Sequence, residues 1–125
     1  MPWLKNMQLI DANVILRYLL NDHPEMSKKA KEIVENGAYT KPEIVAEVVY
    51  VLKGVYHATK EEINVYIKTM LRSIHCTDSA AIEFAINLYS HISLDFVDCL
   101  LIAYHSLYNE SVFTFDKKVN KLLNA

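Results

Sequence analysis

The chain has 125 residues, of which 52% are apolar and 22% are charged, and its formal net charge is −2 at pH 7. This length fits one domain with its own hydrophobic core, and the composition excludes a disordered chain. The slightly acidic balance does not indicate nucleic-acid binding, which usually shows as a basic domain. With only two glycines and three prolines, we expect helix to dominate.

The sequence shows no pattern typical of a targeting segment, a membrane span or a zinc site. The first residues lack a charged front followed by a long apolar core, so we expect no signal peptide. No apolar run approaches the roughly 20 residues of a membrane span. Cys76 and Cys99 lie in apolar stretches without zinc-site spacing, which favours reduced thiols in the core. Together these features predict a soluble, cytoplasmic protein.

The first half of the chain alternates between short strands and helices. In chain order we predict a strand at 7–10, a helix at 14–20, a helix from about Pro24 to Gly37, a short strand at Tyr39 and a helix after Thr40. Thr40 and Glu43 have the spacing of a capping box at the start of that last helix.

The second half continues the alternation. We predict a helix opened by a capping box at 59–62, a strand at 73–76, a helix from about Thr77, a helix from 93–98 to about Tyr108, a strand at 111–115 and a last helix through Leu123. The pattern predicts one α/β domain over 1–125, with three α/β/α layers and a short, mostly parallel sheet surrounded by helices.

Four acidic residues have unusually apolar neighbours. Asp11 and Asp116 each follow a predicted strand, at the edge where open α/β sheets bind ligands. Glu47 shares a helical face with Ile44, Val48 and Val51, so it should face the core or the edge of a cleft. Asp98 shares a face with Leu101, Ile102 and His105.

Each acid also has an ordinary structural explanation. Asp11 and Asp116 could cap the helices that follow them, and Asp95 could cap a helix with Asp98 at its third position. Glu47 could pair with a buried base or be protonated. One divalent cation would satisfy all of these acids together, and ligation by oxygen alone favours Mg²⁺ or Mn²⁺.

At these residues the chain resembles the PIN-domain nucleases, and especially the VapC-type toxins of toxin–antitoxin pairs. The resemblance lies in Leu-Ile-Asp11-Ala-Asn13-Val-Ile-Leu, Pro42-Glu-Ile-Val-Ala-Glu47-Val-Val-Tyr-Val-Leu, Asp95-Phe-Val-Asp98-Cys-Leu-Leu-Ile-Ala and Val-Phe-Thr114-Phe-Asp116-Lys-Lys, in the family's order. The family often has Ser or Thr before the glutamate, where this chain has Ala46.

The resemblance implies a site and an activity. Asp11, Glu47, Asp98 and Asp116 would be the catalytic acids, with metal at Asp11, Asp98 and Asp116 above all. Asn13 and Thr114 would be supporting polar residues, and Asp95 an additional acid. The activity would be Mg²⁺- or Mn²⁺-dependent hydrolysis of RNA by a toxin that forms homodimers and binds a small antitoxin.

Several basic residues lie near the candidate acids in sequence. Arg17, Lys41, Lys117 and Lys118 flank the acids in sequence and are candidate phosphate contacts, although each could be ordinary solvated surface. The alternatives are an RNA-processing nuclease outside a toxin system and a non-catalytic module that binds RNA or protein. A phosphatase of another α/β fold is weaker, because Asp11-Ala12-Asn13 lacks the Asp-x-Asp arrangement and no glycine-rich loop is present.

Overall fold

The protein is described by a computed structural model that covers residues 6–125, so the expectation about a signal peptide lies partly outside the described residues. Within that range the elements are β1 (Gln8–Leu9), α1 (Ala12–Leu20), α2 (Pro24–Glu35), β2 (Ala38–Thr40), α3 (Pro42–Gly54), α4 (Lys60–Ser73), β3 (His75–Cys76), α5 (Ser79–Tyr89), α6 (Phe96–Tyr108) and α7 (Lys117–Leu123). This confirms the predicted α/β class and its helix-rich character.

The sheet is small and parallel, in the order β1–β2–β3. Gln8 pairs with Ala38, and Tyr39 pairs with both Leu9 and His75 across the two ladders. Parallel neighbours require crossover connections, and each crossover here carries two helices. The carboxyl end of β1 therefore leads directly into α1 at Asp11.

The predicted strand at 111–115 is not formed. Among the described residues, no strand pairs with this segment, which runs from α6 to α7. Phe113 and Phe115 are 83% and 90% exposed, with their rings in edge-to-face contact. The prediction was wrong because alternation and β-propensity indicate extended backbone, whereas a strand also needs a hydrogen-bonded neighbour.

One of the two predicted capping boxes is present. At the start of α4, Thr59 accepts a hydrogen bond from the Glu62 backbone, and Glu62 accepts one from the Thr59 backbone. Thr40 instead belongs to β2, where its buried hydroxyl donates to the carbonyl of Ile10 at 3.4 Å. Lys41 occupies the N-cap of α3 without a side-chain bond.

The core confirms the prediction for the cysteines. Cys76 and Cys99 are fully buried with free thiols. Burial raises the pKa of each thiol to about 12. No helix among residues 6–125 has the length and apolarity needed to cross a membrane.

Candidate nuclease site

The start of α6 presents two aspartates to solvent. Asp95 is the N-cap, and its largely exposed carboxylate lies 3.9 Å from Nζ of Lys53 on α3. Asp98 is in the first turn and is partly buried. The Asp95 backbone also favours the ionised form of the Asp98 carboxylate, so the two residues form one local unit.

Asp116 is fixed at the start of α7. Its carboxylate accepts a hydrogen bond from the Val119 backbone at 3.0 Å and so caps the helix. Its own backbone N–H donates to the hydroxyl of Thr114 at 3.1 Å. The carbonyl of Thr114 accepts a bond of 2.8 Å from the side-chain amide of Asn120. Thr114 thus supports Asp116 through the backbone.

These aspartates meet in one open cavity of about 390 Å³. Its charged lining consists of three carboxylates and four ammonium groups, those of Asp95, Asp98, Asp116, Lys53, Lys60, Lys117 and Lys118. The N-terminal ends of α6 and α7 supply the acids. α3 and α4 supply Lys53 and Lys60.

Electrostatics couple the acids of this cavity. The pKa of Asp98 is raised, chiefly because burial disfavours its ionised form and further because the negative charges of Asp116 and Asp95 lie nearby. The hydrogen bond from the Asp95 backbone acts in the opposite direction. A cation between Asp98 and Asp116 would relieve this repulsion.

Asp11 and Glu47 do not line this cavity. Asp11 caps α1 by accepting a hydrogen bond from the Val14 backbone at 3.0 Å, and it borders a separate shallow cavity beside β1. Glu47 is exposed. The structure therefore places only two of the four sequence-predicted acids, Asp98 and Asp116, in one cavity.

The expectation that Glu47 shares the buried stripe of α3 was wrong. The buried residues of that helix are Val45, Val48, Val49 and Leu52. At about 100° per residue, Glu47 falls on the opposite side of the helix from them. The error arose because Ile44 and Val51 are also apolar, although they are only partly buried, so two stripes fit the sequence equally well.

Only some of the predicted phosphate contacts lie near the aspartates. Lys117 and Lys118 line the cavity with the aspartates. Arg17 lies elsewhere and is engaged: its guanidinium pairs with Asp22 at 3.0 Å and donates to the hydroxyl of Tyr56 at 2.7 Å. Arg17 and Asn13 border a small groove between α1 and α2.

Sequence reasoning missed Lys53 and Lys60. Lys53 gave no signal, because a lysine in the last turn of a helix is common. Lys60 did give one: it is the first residue of α4, where a positive charge opposes the helix dipole. A residue in such an unfavourable place calls for a partner outside its own helix.

The sequence pattern of the PIN domain matches residues 9–122. The chain belongs to the PIN-domain family. PIN domains are generally nucleases, act on nucleic acids and typically use divalent metal ions. Neither the curated proteins nor the solved structures provide a match to the chain.

The acids of this PIN domain fit a hydrated divalent ion rather than a closed metal cage. Among residues 6–125, no three His, Cys, Asp or Glu side chains are grouped so that they could hold a metal ion. Mg²⁺ keeps several waters and needs only one or two carboxylates together with substrate phosphates. The electrostatically coupled carboxylates of Asp98 and Asp116 meet that requirement.

Proposed function

We propose that this PIN domain is a metal-dependent endoribonuclease that hydrolyses RNA phosphodiester bonds, and that it is the toxin of a toxin–antitoxin pair. The observation that carries the proposal is the cavity in which Asp98 and Asp116 lie among lysines. A phosphodiester substrate brings negative charge, which needs both a cation at the carboxylates and ammonium groups around them.

The acidic and basic residues of the cavity would have different roles. Asp98 and Asp116 would hold Mg²⁺ or Mn²⁺, while Lys53, Lys117 and Lys118 attract and orient the phosphates on either side. When bound, such an ion activates water and stabilises charge on the leaving oxygen. Thr114 keeps Asp116 in place through the backbone bond described above. Asp95 lies beside Lys53 and tempers its charge.

Asp11, Glu47 and Asn13 belong to the proposed site through the family resemblance alone. None of them borders the cavity of Asp98. Substitution of Asp11 therefore separates two roles: Asp11→Ser keeps a side-chain oxygen for the α1 cap but removes the carboxylate. We expect loss of cleavage in Asp11→Ser if Asp11 serves the metal, and wild-type cleavage if it serves the helix alone.

The central experiment measures cleavage of single-stranded RNA and of DNA of the same sequence, with Mn²⁺ or Mg²⁺ present. We expect cleavage of RNA, and a loss of about a hundredfold or more in Asp98→Asn and Asp116→Asn, because a catalytic metal stabilises the transition state by several kcal/mol. Glu61→Gln, an exposed acid on α4, is the matched control.

Three results would contradict parts of this proposal. Wild-type cleavage by both aspartate variants would mean that the site is misassigned. Cleavage that persists in EDTA would exclude the metal mechanism. Equal cleavage of DNA would remove the specificity for RNA while leaving a nuclease.

The toxin role is tested by the search for a partner protein encoded beside this one. We expect a small neighbouring reading frame whose product has a DNA-binding start and an apolar tail, and which suppresses cleavage when the two proteins are produced together in the cytoplasm. The exposed pair Phe113 and Phe115, in the segment that leads to Asp116, would give such a tail an apolar contact beside the site. An isolated gene would favour an RNA-processing nuclease.

The homodimer has a candidate face between α3 and α6. An apolar groove of about 430 Å³ lies there, with Tyr50 and Val97, 77% and 54% exposed, among its lining residues. We expect Val97→Asp to shift a dimer toward monomer in light scattering. Val65→Asp, at an exposed position on α4, should not. A monomeric wild type would exclude the dimer.

A non-catalytic module that binds RNA or protein is the second candidate. The absence of Asp11 and Glu47 from the cavity favours it. It predicts RNA binding without Mn²⁺-dependent cleavage, so the same assays decide between the two functions.

A further inference from the structure

Lys60 reaches from α4 to the loop before α6. Its Nζ donates to the carbonyl of Ile92 at 2.8 Å and to that of Leu94 at 2.9 Å. It also lies over the ring of Tyr89, 4.0 Å from the centroid. An ammonium group has three N–H donors, and two of them are occupied by carbonyls here. Although Lys60 borders the cavity, it is engaged by protein and not free to hold phosphate.

The two carbonyls belong to the segment that sets the position of Asp98. Leu94 immediately precedes Asp95, the N-cap of α6, and Asp98 lies in the first turn of that helix, where the Asp95 backbone favours its ionised carboxylate. Lys60 thus holds the loop that leads into the turn of Asp98, and Asp98 lines one cavity with Asp116. Lys60 is therefore connected to the candidate metal ligand without touching it.

The position of Lys60 is unfavourable for its own helix. As the first residue of α4, it puts a positive charge at the end of the helix where acids are preferred, and Glu61 and Glu62 follow it. Burial is the main cause that lowers the pKa of its ammonium group. Local helix stability does not explain a lysine here, whereas the two long-range hydrogen bonds do.

We propose that Lys60 is a positioning residue that fixes the loop at 92–94 and thereby holds the Asp98 carboxylate where it can share a divalent cation with Asp116. The inference rests on the proposed function for its metal, and on the hydrogen bonds of Lys60 for its mechanism.

The test measures Mn²⁺ binding by calorimetry and backbone hydrogen exchange at residues 92–98, in the wild type, Lys60→Met and Lys60→Arg. Loss of a residue that orients a ligand typically weakens metal binding about tenfold to a hundredfold. We expect a loss in that range, with faster exchange at 92–98, for Lys60→Met. Lys60→Arg keeps charge and donors and should recover part of both. Lys68→Met, an exposed position on the same helix, is the control and should match the wild type.

The outcomes separate this inference from the proposed function. If Lys60→Met binds Mn²⁺ within twofold of the wild type, Lys60 does not position the site, although the nuclease proposal stands. If the wild type binds no Mn²⁺, the proposed function fails and the inference about the metal fails with it; unchanged exchange in Lys60→Met would then also exclude the fixing of the loop. If Lys60→Met does not fold, Lys60→Gln, which keeps an amide donor, is measured instead with the same expected loss of affinity.

Discussion

The electrostatics of Asp98 differ from those of an ordinary surface acid. Its pKa is raised, first by burial and then by the charges of Asp116 and Asp95. The ionised carboxylate is thus less favourable in the folded protein than in the unfolded chain. Residues that gather like charge for function commonly cost stability, and their neutral variants are commonly more stable.

We therefore expect Asp98→Asn to raise the Tm of the metal-free protein at pH 7, by on the order of a few °C. Because the folded-state pKa is raised, the wild type recovers stability as pH falls through that pKa. The difference in Tm between Asp98→Asn and the wild type should therefore narrow as the pH falls toward 3.8, the usual pKa of an aspartate side chain. Calorimetry across this pH range checks the prediction. A metal-free Asp98→Asn that melts below the wild type would contradict it.

Burial should make the two cysteine thiols unreactive in the native protein. Since burial raises the pKa of Cys76 to about 12, only about one molecule in ten thousand carries the thiolate at pH 8, and thiolate is the reactive form. We expect negligible reaction of the native protein with Ellman's reagent at pH 8, and two thiols per chain in guanidinium. Rapid native labelling would contradict the buried state of the thiols.

The same shift also affects stability at high pH. An acid whose folded-state pKa is raised contributes stability that is complete below its unfolded pKa, 9.0 for Cys76, and is lost as pH rises toward about 12. Cys76→Ala removes this dependence, and its Tm should therefore fall less steeply than that of the wild type above pH 9.

At the level of elements, α7 begins at an acid with two roles. Asp116 caps the helix through the Val119 backbone and lines the cavity with Asp98. Asp116→Asn retains an N-cap of similar strength, whereas Asp116→Ala loses about 1 kcal/mol of capping energy. We expect both variants to lose nuclease activity, but only Asp116→Ala to lose Tm, by roughly 3–6 °C. Equal Tm values for the two variants would exclude the capping role.

The elements also explain what the sequence could predict. The helices were predictable because their signals are local: Pro24 at the start of α2 and the Thr59 box at the start of α4 both operate within one turn. The face of α3 was not, because apolar residues lie on both of its sides. The state of 111–115 was not, because pairing depends on a neighbour that is distant in sequence.

The candidate site was also predictable only in part. Asp98 and Asp116 stood out because their surroundings in sequence are apolar, and the structure brings both into one cavity. Their partners Lys53 and Lys60 could not be identified, since they come from α3 and α4, which are distant from α6 in sequence. Acids that follow apolar runs are visible in a sequence, whereas the cations gathered around them depend on tertiary packing.

At the level of the whole molecule, a net charge of −2 has to be reconciled with binding of a polyanion. The distribution of charge resolves the difficulty, because Lys53, Lys117 and Lys118 border one cavity while other lysines are spread over the surface. Association with RNA would then depend on this local group and on the bound cation, rather than on the overall charge.

Salt dependence distinguishes local from overall charge. Each phosphate contact to a single strand contributes about 0.7 to the slope of log affinity against log salt concentration. Replacement of Lys53, Lys117 and Lys118 by Gln should therefore reduce the slope by up to about 2 and raise KM with little effect on kcat. The matched triple variant at Lys28, Lys31 and Lys68, all exposed, changes the net charge equally. If the RNA is held at the cavity, fluorescence titration at several salt concentrations will separate the two variants; if overall charge governs binding, their slopes will coincide.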